Sequence, residues 1–150
     1  MELQELKFYR INPKFNNVPL PTYQTEGSAG MDICAALQNK IEIPPGKVVL
    51  VPTNLKVEIP QGYELQVRPR SGLALKSGIG LLNSPGTIDC DYRGEIGIIM
   101  FNFSEKSFEI NSGDRIAQLV LAKVARANIV EVENLTETKR DTGGFGSTGI

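Results

Sequence analysis

The sequence predicts an all-β domain, a jelly-roll-like β-barrel or double sheet carrying one short helix. Apolar and polar residues alternate along much of the chain, helical periodicity is scarce, and 15 glycines and 9 prolines cut the chain into short runs. At 150 residues there is room for one sizeable core and too little for two.

Ile41-Glu42-Ile43 and Val48 to Val51 read as strands on either side of a Pro44-Pro45-Gly46 turn. Leu55, Val57 and Ile59 alternate with Lys56 and Glu58; Tyr63, Leu65 and Val67 alternate with Glu64, Gln66 and Arg68, and Pro60-Gln61-Gly62 turns the chain between them. Both are half-buried strands. Ser71 to Ser77 alone suggests a helix, with Ser71 as its N-cap. After the strand Ile79 to Leu82, Gly86 to Ile88 and the apolar run Glu95 to Phe103 read as two arms of a β-hairpin, because the turn-formers Asp91 and Gly94 lie between them. Phe108 to Ile110 and Arg115 to Val124 complete the strands, joined by the turn Asn111-Ser112-Gly113-Asp114. Glu137 to Ile150 is polar and glycine-rich and cannot bury a core, which divides the chain into a β-domain over 1–136 and a mobile tail over 137–150.

Sixteen Lys and Arg against 17 Asp and Glu leave a net charge of −1, which implies no broad basic surface for duplex nucleic acid. An anionic ligand must then be met by local cations or by bound metal. Cys34 and Cys90 have no CxxC spacing and the chain has no histidine, so a zinc site is nearly excluded. The start of the chain lacks the apolar stretch of a secretory signal, and no run approaches membrane-spanning length. An intracellular, cytoplasmic location with both thiols free is the simplest expectation. Without histidine, acid–base chemistry falls to Asp, Glu, Lys, Tyr or Cys.

Four stretches carry more chemistry than structure requires. In Gly86-Thr87-Ile88-Asp89-Cys90-Asp91-Tyr92-Arg93-Gly94, an extended arm puts Asp89 and Asp91 on one face and Tyr92 on the other, although such residues also populate ordinary turns. Arg68-Pro69-Arg70-Ser71-Gly72 places two guanidiniums before a helix start, a setting suited to phosphate or simply to surface charge. Asp32, within Ala29-Gly30-Met31-Asp32-Ile33, must pair with an arginine or serve a metal, since an unpaired charge there is costly to bury. In Gly113-Asp114-Arg115-Ile116-Ala117-Gln118, Asp114 reads as a turn cap, while Gln118 is ambiguous between sheet edge and ligand. The tail holds a GxGxxG, Gly144 to Gly149, without the strand-turn-helix context of a dinucleotide fold. Such a segment can still wrap polyphosphate through its backbone N–H groups.

Taken in order, these stretches, with Arg140 and Gly143 to Gly149, resemble the homotrimeric deoxyuridine triphosphate nucleotidohydrolases, the dUTPases. The resemblance implies hydrolysis of dUTP to dUMP and pyrophosphate, which keeps uracil out of DNA and supplies dUMP for thymidylate synthesis. It also implies a homotrimer with sites shared between subunits. On the family's pattern Asp89 activates the water that attacks the α-phosphorus, and Tyr92 lies against the deoxyribose where a 2′-hydroxyl would clash. Gly86, Thr87 and Ile88 line the uracil pocket with Asn83 adding an amide; Ser71, Gly72 and Gln118 meet the phosphates, and Arg70 lies either there or at the subunit contact. The tail closes the site, with Phe145 stacking on uracil and Arg140, Gly146, Ser147 and Thr148 around the triphosphate. Mg²⁺ rides on the substrate phosphates, with Asp32 an outer-sphere contact. Cys90 stands where the family varies among small residues, and is expected to pack rather than react. Three rivals remain: a dCTP deaminase using a glutamate such as Glu95, a nucleotide-binding module without turnover, and a structural β-trimer.

Overall fold

The computed structural model describes residues 3–144. Twelve strands, one 3-10 turn and one helix follow one another within them. The strands are β1 (Lys7–Arg10), β2 (Thr22–Tyr23), β3 (Met31–Cys34), β4 (Ile41–Ile43), β5 (Val48–Pro52) and β6 (Leu55–Glu58). After these come β7 (Tyr63–Arg68), the helix α1 (Ser71–Ser77), β8 (Ile79–Leu81), β9 (Gly86–Ile88), β10 (Gly97–Asn102), β11 (Phe108–Ile110) and β12 (Arg115–Lys123). The expected all-β class with one short helix holds. The strands form four sheets, ordered β2-β3-β12-β7-β9, β5-β10-β8, β1-β6 and β11-β4, and none closes on itself among the described residues.

Period-two patterning decides which side chains enter the core. In β10, Ile98, Met100 and Asn102 are buried, whereas Gly97, Ile99 and Phe101 lie on the other face. Ile33, Ile43, Val51, Leu65, Ile98 and Leu119 are fully buried in one cluster shared by the sheets. Each such side chain contributes roughly 1.5–3 kcal/mol on removal from water. Asn102, buried among them, donates to the Ile43 and Lys106 carbonyls at 2.8 and 2.7 Å and accepts from the Ser104 N–H at 2.9 Å. It ties the end of β10 to β4 without an orphaned polar atom.

Three expectations change. The arms Gly86–Ile88 and Glu95–Phe103 do not pair with each other: β9 bonds to β7, and β10 bonds to β5 and β8 in a different sheet. Their stretch is a bridge between sheets, and local turn chemistry cannot reveal which distant strand wins the pairing. The N-cap of α1 is Arg70 with no side-chain cap bond, so Ser71 is the first helical residue rather than the cap. β1, β2 and β3 were not anticipated, because Lys7 to Arg10 reads as a charged start and Met31 to Cys34 as a small-residue stretch. From Val124 to Gly144 the chain has no strand or helix. The exposed segment therefore begins well before residue 137.

Candidate active site

Two groups of predicted residues come together, each for a reason of topology. β9 pairs with β7, and Val67 opposite Gly86 fixes where the bridge leaves the sheet. The approach at Gly86 is close, since a Cβ there would lie 3.1 Å from Asn83 Nδ2 and 3.3 Å from Val67 Cβ. A cleft of about 170 Å³ opens beside it, lined by Asn83, Gly86, Thr87, Ile88, Asp89 and Tyr92 together with Val67 and Glu95 to Gly97. Its wall is held by its own bonds. The Tyr92 N–H donates to the Asp89 carbonyl at 3.1 Å, the Tyr92 hydroxyl to the Glu95 carbonyl at 3.0 Å, and Arg93 Nη1 to the carbonyls of Cys90 and Tyr92 at 2.8 and 2.9 Å. The Asp89 carboxylate has no hydrogen-bond partner among the described residues and faces solvent. Cys90 is partly buried and packs against the core.

The second group crosses the large sheet in register. Asp32 on β3 stands opposite Gln118 on β12, which stands opposite Arg68 on β7. Asp32 is taken up by arginines: Arg70 Nε lies 3.2 Å from one carboxylate oxygen and Arg115 Nη1 lies 3.0 Å from the other. Arg70 Nη1 also donates to the Arg115 carbonyl at 3.0 Å. Of the two partners Asp32 was expected to choose between, the structure shows arginine. Gln118 Nε2 donates to the Pro69 carbonyl at 3.0 Å, and Gly30 makes room for it, as a Cβ on Gly30 would fall 2.2 Å from Gln118 Oε1. Ser71 and Gly72 open α1 beside Arg70, both exposed. Asp114 caps its turn, accepting the Asn111 N–H at 2.7 Å, as predicted. Burial pushes the neighbouring Cys34 thiol above its ordinary pKa, with Arg115 pulling the other way.

None of Arg70, Ser71, Gly72 or Gln118 lines the cleft that holds Asp89. Arg140 Nε donates to the Gly143 carbonyl at 2.8 Å within a turn of its own segment. Phe145, Gly146, Ser147 and Thr148 lie outside the described residues. Sequence reasoning assigned no role to Arg115 or Asn54. For Arg115 a signal existed, since a lone carboxylate at position 32 required cations and Arg115 lies within a quoted motif; nothing local marked Asn54. Mg²⁺ finds no cage here. No cluster of three or more His, Cys, Asp or Glu side chains exists among the described residues, and both Asp32 oxygens are already engaged.

Arginines gathered around Asp32, and an exposed carboxylate beside a small cleft on the same β-domain, suit a hydrolase acting on phosphorylated small molecules. Comparison narrows the class. A sequence profile of the family described as dUTPase matches residues 16–149. The chain belongs to the dUTPase family. It is 53% identical over 150 residues to the deoxyuridine 5′-triphosphate nucleotidohydrolase of Roseobacter denitrificans, covering 99% of both chains. It is also 53% identical over 134 residues to that of Thermoanaerobacter sp. (strain X514), covering 89% of this chain and 90% of the other. Among solved structures, the Staphylococcus bacteriophage 80alpha dUTPase with dUPNHPP matches with a TM-score of 0.87 at 25% identity, over 99% of this chain and 100% of that one. A mutant dUTPase from phage phi11 of S. aureus, described with a structural Mg(II) ion, matches in fold with a TM-score of 0.78 at 22% identity, over 89% of this chain and 100% of that one.

Proposed function

We propose that this chain hydrolyses dUTP to dUMP and pyrophosphate, with Asp89 as the general base. As a dUTPase it is a deoxyuridine 5′-triphosphate nucleotidohydrolase. The roles follow from its cleft. Asp89 is the carboxylate of that wall left without a partner, so it is free to hold a water and take its proton. The water oxygen bonds to the α-phosphorus, the bond from that phosphorus to its bridging oxygen breaks, and pyrophosphate leaves. Uracil presents one N–H between two carbonyls, which suits the backbone of Gly86, Thr87 and Ile88 and the Asn83 amide. Cytosine's amino group would meet donors where acceptors are needed. Tyr92 offers its ring to the deoxyribose, where a 2′-hydroxyl would clash.

Arg70, Ser71, Gly72 and Gln118 form the phosphate side. Asp32 fixes Arg70 and Arg115 in place and so keeps only an outer-sphere relation to Mg²⁺. The ion would be carried by the substrate's own phosphates, with its waters retained. Arg140, Phe145, Gly146, Ser147 and Thr148 are assigned to closure over the bound nucleotide, which would exclude stray water. Two free thiols suit a reducing, intracellular setting. Among the described residues no helix is long and apolar enough to cross a membrane.

The assembly is a homotrimer with shared sites. A cleft of about 170 Å³ is small beside the roughly 300–1,000 Å³ of a complete ligand pocket, and the phosphate residues lie elsewhere on the chain. The outer face of β5-β10-β8 supports the same reading, since Leu50 opposite Ile99 and Val48 opposite Phe101 make a continuous apolar surface that suits contact with a second copy. The deciding assay is pyrophosphate release from dUTP, dTTP, dCTP and UTP with Mg²⁺, with ammonia measured in the same tubes. Pyrophosphate from dUTP alone is expected. Ammonia from dCTP would move Glu95 into a deaminase role, and no product from any nucleotide would leave only binding.

A further inference from the structure

We propose that Glu95 is a positioning residue that sets the Tyr92 ring, and with it the selection of deoxyribose, by clamping the end of the bridge to a buried asparagine turn. The inference rests on the reading of Tyr92 as the sugar-selecting residue.

The bridge is fixed at its start by the β9–β7 pairing. At its end it meets Thr53 and Asn54, which join β5 to β6, and Leu55 at the start of β6. Glu95 Oε1 accepts the Asn54 N–H at 2.8 Å, the Ile96 N–H donates to the Leu55 carbonyl at 2.8 Å, and Thr53 Oγ1 donates to the Ile96 carbonyl at 2.6 Å. Asn54 is itself immobilised. It is 5% exposed and has a φ of 62°, a left-handed conformation that asparagine tolerates better than most residues. Its side chain accepts the Asn12 N–H at 2.8 Å and donates to the Asn12 carbonyl at 3.0 Å, and its own carbonyl accepts the Ile11 N–H at 3.0 Å. With the backbone N–H given to Glu95, every polar group of Asn54 is used.

Glu95 carries this anchoring to the nucleoside side with its other end. Its main-chain carbonyl accepts the Tyr92 hydroxyl at 3.0 Å, so the residue that grips the Asn54 turn also holds the tip of the tyrosine. Gly94 packs under the same ring. A Cβ there would fall 2.2 Å from the Tyr92 hydroxyl oxygen and 2.4 Å from Cζ, contacts that only a shift of the ring relieves. Loss of the side-chain bond removes one of the three bonds that hold the end of the bridge, and the Glu95 carbonyl that accepts the Tyr92 hydroxyl is then held through the two bonds of Ile96 alone.

The test compares kcat and KM for dUTP and UTP in the unaltered enzyme and in Glu95→Ala, Glu95→Gln, Gly94→Ala and Tyr92→Ala. For Glu95→Ala the preference for dUTP over UTP is expected to fall about tenfold, the loss of roughly one charged hydrogen bond, mainly through KM for dUTP. Glu95→Gln should restore the preference, since its amide oxygen still accepts from Asn54. Gly94→Ala should narrow it through the ring alone, which keeps the test usable where Glu95→Ala fails to fold. An unchanged preference in Glu95→Ala alongside a narrowed one in Tyr92→Ala would overturn the clamp and leave the function intact. A glutamine variant as impaired as the alanine one would also overturn it, by showing that charge rather than the hydrogen bond matters. An unchanged preference in Tyr92→Ala would instead remove the reading of Tyr92 on which the clamp depends.

Discussion

At the scale of the residue, the carboxylates of the two groups differ in how they are held. Asp32 has both oxygens occupied by Arg70 and Arg115, Asp114 closes a turn, and Glu95 grips Asn54. Asp89, on the proposed mechanism, is the one that acts on a water. Asp89→Asn keeps the size and most of the hydrogen-bonding shape but cannot take a proton, so dUTP binding should persist while turnover falls by roughly 10²–10⁴. Equilibrium binding of a non-hydrolysable dUTP analogue beside steady-state kcat would check this, and an unchanged kcat would remove Asp89 from the chemistry. The residues of both groups were legible because each breaks a local rule: a charge in an apolar stretch, paired guanidiniums before a helix, two aspartates flanking Cys90. Their partners were not. Whether Asp32 meets arginine or metal depends on β3 and β12 lying side by side, and the hold on Asn54 depends on a turn 41 residues away from Glu95.

Elements were legible wherever alternation was strict. Leu55 to Glu58, Tyr63 to Arg68 and the helix over Ser71 to Ser77 lie where patterning places them. The mispaired arms are instructive for the opposite reason. Alternation shows that a segment is extended, and turn residues show where it bends, but hydrogen-bond partners are chosen by the whole set of strands competing for edges. β9 is thus claimed by β7, and β10 by β5 and β8. Val124 to Gly144 makes no strand and is exposed as far as residue 142, so removing the end of the chain takes little from the core. Truncation before Arg140 is expected to leave the melting temperature near that of the full chain and to cripple turnover. A collapsed melting transition in circular dichroism would instead assign that segment a structural part.

At the scale of the molecule, separation of the Asp89 cleft from the Arg70 cluster makes a prediction that no single-chain enzyme shares. On the proposed trimer with shared sites, Asp89→Asn and Arg70→Ala would each disable one half of a site. When the two inactive proteins are unfolded together and reassembled, random mixing should restore about a quarter of the activity, because a shared site can draw each intact half from a different subunit. Activity that stays at the level of the separate variants would show that each chain keeps its own complete site. The apolar outer face of β5-β10-β8 has a consequence for the life of the protein before assembly. A newly synthesised chain that has met no partner shows Leu50, Leu82 and Phe103 to solvent, each more than half exposed. Such a surface is what chaperones and proteases recognise, so recruitment of partners competes with clearance. Substitutions on this sheet would therefore register first as a smaller harvest of protein from the cell, while the molecules that do assemble work at full speed.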